Sequence, residues 1–211
     1  MKTRADLLLR DSLAASFVAA AGGDDEAGER IDALHAWARG AGSGGMAATL
    51  ESFETERGTR LFDSDGSLLG DFATHAEHVR DRALRMHAAL GWLREAQALG
   101  QLIECARAAW DAGLFFEVHE LLEPTWLREE GPRKTALQGL ILAGAGLYHF
   151  TRENLAGSSG LLRDAERHIE RSPRLDSLDL VDFGRRLGDL GRRIASGELR
   201  HWSQLDTLPR F

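Results

Sequence analysis

The chain has 211 residues, 43% of them hydrophobic and 28% charged, with a mean hydropathy of −0.28. That length suits one domain, or one domain with an extension, and supports a core without disulfides or structural metal. A formal charge of −7 argues against a general nucleic-acid or anionic-membrane binder. The lone Cys105 excludes a disulfide scaffold and a cysteine zinc cage.

The apolar stretches at Leu7–Leu9 and Leu13–Ala21 are separated by Arg10-Asp11. The longest, Leu137–Tyr148, is barely half of the ~20 residues that a bilayer span needs. The expectation is a cytoplasmic protein with neither a membrane nor a nucleic-acid partner.

Almost every segment reads as helix. Glycine-rich stretches at Ala21–Asp24 and Gly40–Gly45 bracket a short helix over about 26–39. Residues 60–70 are the exception, a tight turn at Asp65-Gly66 between Leu61-Phe62 and Leu68-Leu69. The turn resembles part of a calcium loop, but no Glu closes it. Gly42–Gly45 lacks the lysine and the preceding strand of a phosphate loop.

Phe72, Ala76, Val79, Ala83, Met86, Leu90 and Leu93 recur at three and four residues, which predicts one long amphipathic helix over 72–99. Further helices are expected at 101–112, 115–129, 133–151, 155–171 and 177–196, with Gly113, Gly131-Pro132, Asn154 and Pro173 as punctuation. Nothing alternates with period two strongly enough to predict a sheet. The fold class is therefore all-α: a helical bundle around a buried hairpin of the helices at 115–129 and 133–151. Residues 1–98 form an N-terminal helical extension and 99–211 the helical domain.

The chemistry concentrates in Phe115–Trp126. On a wheel centred on His119, Phe115, Phe116, Leu122 and Trp126 all fall within about 60° of it, and Glu123 about 40° away. His119 and Glu123 thus occupy positions where two leucines would be expected, and Glu120 borders the same face. A charge in an apolar stripe needs a partner or a metal. The helix at 133–151 supplies candidates, because Gln138 and His149 share one face three turns apart. Gly139, Ala143 and Gly146 form a small-residue ridge beside it, fit for close helix approach.

The run Phe116-Glu117-Val118-His119-Glu120, with Glu123 and Trp126, resembles domain-of-unknown-function family 309. Leu137-Gln138-Gly139-Leu140, Leu147-Tyr148-His149, the turn Asp111–Phe115 and the segment Asn154–Leu162 carry the same resemblance. It covers about 102–170 and implies a small all-helical fold without implying a reaction.

Three readings of these residues are open. His119, Glu123 and His149 can ligate one divalent metal ion with Glu120 as general base, a set suited to Zn, Mn or Fe(II) and to metal-dependent hydrolysis. The same side chains, with Gln138, Tyr148 and the indole of Trp126, can instead form a fold-stabilising hydrogen-bond network in a structural or protein-interaction module. They can also line a pocket for a small polar ligand, bounded by His119, Glu120, Glu123, Gln138 and His149, with Tyr148 and Trp126 as further ligand contacts. Whether the chain is an enzyme stays open between them.

Other candidates read as structure. His75 and His78 flank Glu77 off the apolar stripe, and Cys105 reads as a small buried hydrophobe. His35, His87, His168 and His201 read as ordinary surface or boundary residues. Arg185, Arg186, Arg192 and Arg193 are interleaved with Asp182 and Asp189, which predicts solvated salt bridges.

Overall fold

The computed structural model describes residues 4–40, 46–55, 58–96 and 102–211. Helix dominates them, and the chain divides into two compact units, Met1–Ala108 and Ala109–Phe211. The expected boundary at 98/99 and the stretch Gly42–Gly45 lie outside the described residues. No helix among the described residues is long and apolar enough to cross a membrane.

The first unit contains α1 (Arg4–Ala21), α2 (Asp25–Ala38), a short α3 (Ala47–Glu51) and α4 (Ala76–Ala96). Asp24 caps α2, its carboxylate accepting from the Ala27 N–H at 2.9 Å. Leu9, Leu13 and Phe17 of α1 are buried, as are Ile31 and Leu34 of α2 and Val79, Ala83 and Met86 of α4. α2 packs against both α1 and α4.

The stripe predicted over 72–99 is correct at Phe72, Val79, Ala83, Met86 and Leu90, all buried, while Ala76 is half-buried. The side chain of Leu93 lies outside the described set. The α-helix itself starts later than expected. Gly70–His75 is a 3₁₀ turn, held where the Thr74 hydroxyl donates to the Asp71 carbonyl at 2.8 Å. The turn at Asp65-Gly66 is present as predicted, with Gly66 at φ 82° and Phe62 bridging Leu68.

Helix α5 (Leu102–Asp111) carries the division between the units. The second unit continues with α6 (Phe115–Arg128), α7 (Gly131–Thr151), α8 (Leu155–Arg171) and α9 (Val181–Ala195). Gly113, at φ 72°, turns the chain towards α6, and Gly131-Pro132 opens α7.

Helices α6 and α7 form the expected antiparallel hairpin. The Phe116 and Tyr148 rings meet at 5.5 Å at one end, and the Lys134 ammonium lies 5.0 Å from the Trp126 ring centre at the other. The small-residue ridge does what its composition suggests. A Cβ on Gly139 would come within 2.7 Å of Ile169, and one on Gly146 within 2.9 Å of Leu162, so α8 lies directly on that ridge. Helix α7 is thereby sandwiched between α6 and α8, and α9 covers the far side of α8. Trp110 closes the core, its indole N–H donating to the Pro209 carbonyl at 2.7 Å among Phe115, Phe183 and Phe211.

The last helix starts at Val181 instead of 177. A hairpin of two-residue strands, β1 (Arg174–Leu175) and β2 (Leu178–Asp179), precedes it, turning through Asp176 at φ 53°. Strands of two residues carry no readable alternation. The Asp179 carboxylate then accepts from the Val181 N–H at 2.9 Å and sets the helix start.

Candidate functional site

Helix α6 buries Phe115, Glu117, Val118, Leu121 and Leu122, so its core face centres near Val118, about 100° round the helix from His119. His119 and Glu123 are therefore not in the middle of the apolar stripe, as the wheel suggested. They stand on its shoulder, half-buried, with Glu120 beside them. The wheel was pulled round by Phe116 and Trp126, apolar residues that are themselves only half-buried.

This placement changes the energetics. The side chains of His119 and Glu120 are 28% and 36% exposed, so water still solvates both. Glu120 and Glu123 are both only half-buried, short of the enclosure expected around them.

The geometry nonetheless brings three ligand groups together, one imidazole and two carboxylates. His119, Glu120 and Glu123 each offer one ligand atom, and these atoms lie within 4.8 Å of one another. Their spacing explains it: residues one turn apart share a face, and Glu120 swings across to its neighbour. His119 Nδ1 lies 3.0 Å from Glu120 Oε1. The Phe116 ring packs against His119 at 6.1 Å and against Tyr148 at 5.5 Å, forming an aromatic flank.

His149 stands outside that group. In the antiparallel register set by Phe116 with Tyr148 and Trp126 with Lys134, His149 is level with the turn ahead of Phe115. That is on the order of one and a half helical turns from His119. Its ring is also committed elsewhere. Asn154 caps α8 by accepting from the Gly157 N–H, which leaves its amide Nδ2 to donate to His149 Nδ1 at 2.6 Å. A neutral His149 that accepts at Nδ1 carries its proton on Nε2, so it offers a donor there and no metal-binding lone pair.

Gln138 is half-buried and, by the same register, level with Glu123 at the far end of the triad. Trp126 is occupied as the face under Lys134. Tyr148 contacts Phe116 and His149 through its ring.

Two features escaped the sequence reading. Glu117, between Phe116 and Val118, is 1% exposed, a carboxylate in the core of α6. His35 and His87 stack face to face, 3.7 Å apart and 6° from parallel, although 52 residues separate them. No local pattern encodes that contact.

Residues 103–161 match the model of a domain of unknown function, DUF309. The match runs from α5 into α8 and contains every candidate residue from His119 to His149. The uncharacterized protein YpuF of Bacillus subtilis (strain 168) is 38% identical over 76 residues, which are 35% of this chain and 42% of YpuF. The alignment therefore spans less than half of that relative's length. No solved structure matches the chain.

Proposed function

We propose that His119, Glu120 and Glu123 bind one divalent metal ion on the open face of α6. The observation that supports it is the approach of three ligand atoms within 4.8 Å on one turn of helix. An ion with ligands about 2.1 Å away holds them roughly 3–4 Å apart, which small rotamer changes reach from here. One imidazole with two carboxylates suits Zn, Mn or Fe(II) over softer ions. In this reading Glu120 is a ligand in place of a general base, and His149 is a hydrogen-bond donor nearby in place of a ligand.

Three protein ligands on a half-exposed helix leave coordination positions for water. Metal-dependent hydrolysis is the reaction class such a centre serves, because a bound ion acidifies its water and polarises a substrate oxygen. The alternative, a network that fixes helix register, draws its value from burial, and His119 and Glu120 are too exposed to need it.

The test is elemental analysis of protein purified without chelator or polyhistidine tag, followed by titration of the metal-free protein with Zn and Mn. Near-stoichiometric binding is expected, weakened at least about tenfold in His119→Ala and in Glu123→Gln. Tyr148→Phe should bind as the unaltered protein does. Absence of saturable binding, or equal affinity in the two ligand variants, overturns the proposal.

A further inference from the structure

The first unit contains a cleft of about 420 Å³ between the start of α1 and the 3₁₀ turn at Gly70–His75. Its size is that of a small-molecule site. Leu8, Leu69 and Phe72 give it an apolar wall, with Phe72 itself buried. Arg4 and Arg60 bring two guanidiniums to the lining, and Asp71 brings one carboxylate.

We propose that this cleft binds a small carboxylic acid with an apolar body. With Glu51, outside the lining, paired to Arg60, the guanidinium left to a ligand is that of Arg4, and a single guanidinium matches a monoanion better than a phosphate ester carrying nearly two charges. Arg60 is held by its ion pair with Glu51. Arg4 lines the cleft and is exposed, so its fork of donors can meet a carboxylate in bidentate fashion. The apolar wall would take the body of the ligand, and burial of that body supplies most of the affinity. A purely polar anion would leave Leu8, Leu69 and Phe72 unused, and a cation would meet two guanidiniums against the single carboxylate of Asp71.

The site is separate from the triad on α6 and stands or falls independently of it. The probe is 4-phenylbutyrate, titrated calorimetrically into the full chain beside 4-phenylbutylamine, which has the same body and the opposite charge. The acid is expected to bind saturably below about 1 mM, with the amine at least about tenfold weaker. The double variant Arg4→Gln with Arg60→Gln should lose at least about tenfold in affinity for the acid. Both arginines are exposed, so circular dichroism and the melting temperature should stay unchanged. A Leu8→Trp variant, which fills the cleft, should lose binding while both arginines remain. The proposal is overturned if the acid does not saturate, if the amine binds equally well, or if the arginine pair can be removed without effect.

Discussion

At Gly144 a Cβ would lie 2.8 Å from the Phe115 carbonyl oxygen and 3.5 Å from Val118, so α6 and α7 touch backbone to backbone there. A side-chain neighbour can rotate away, whereas a carbonyl fixed in the first turn of a helix cannot. Gly160 is the opposite case, a mid-helix glycine of α8 with nothing within 4 Å of the missing Cβ. Gly144→Ala should therefore destabilise the protein by about 1–3 kcal/mol, the cost of overpacking a tight contact. Gly160→Ala should stabilise it by about 0.5–1 kcal/mol, because the only change is lost freedom in the unfolded chain. Denaturant midpoints of the two variants should move in opposite directions at constant slope. Movement in the same direction would mean that α6 and α7 do not approach as described.

Among the elements, α8 depends on a residue with two tasks. Asn154 accepts from the Gly157 N–H as the cap and donates to His149 with its other amide atom. Asn154→Ala should cost about 1 kcal/mol for the lost cap. It should also release the tautomer of His149, which ring ¹⁵N shifts would report as a mixture in place of a single Nε2–H form. Asn154 could be read as helix punctuation from the sequence, but its second task needs the end of α7 to be packed against the start of α8. The same division runs through the other elements. Helix α7 was legible because it is apolar nearly all round, and its small-residue ridge showed where a partner would come. Helix α6 was legible as a helix, but its orientation was not, since Phe116 and Trp126 are apolar without being core and Glu117 is core without being apolar. The wheel assumes that polarity reports burial. Within α6 three residues break that rule, and they moved His119 and Glu123 from the shoulder into the stripe. The triad survives the rotation because its members are set by spacing along one helix. His149 drops out because it lies on the partner helix, where register decides.

At the scale of the whole molecule, one histidine in each unit responds to mild acid. In one unit the ring of His35 is pushed below its ordinary value of 6.5 by burial first, then by stacked His87 and by Arg39, with Asp32 opposing. In the other, His168 is pushed the same way by burial, then by Arg171 and Arg167, with Asp164 opposing. The buried Nδ1 of His168 has no hydrogen-bond partner among the described residues, so a proton placed there would be a charged donor without an acceptor. For both groups the unfolded chain takes up protons before the folded one does. Stability is therefore complete above pH 6.5 and falls as the pH drops through that value towards the lower folded one. One carboxylate responds at lower pH. Asp189, held low by its hydrogen bond with Arg192, loses its contribution only below its ordinary 3.8. Between about pH 7.5 and about pH 5 these two rings therefore cost stability as they take up protons. The melting temperature should fall over that interval, and the double variant His35→Gln with His168→Gln should flatten the fall. Each single substitution should remove part of it, since the two rings lie in different units and share no partner. A melting temperature equally steep in the double variant would assign the acid sensitivity to other groups.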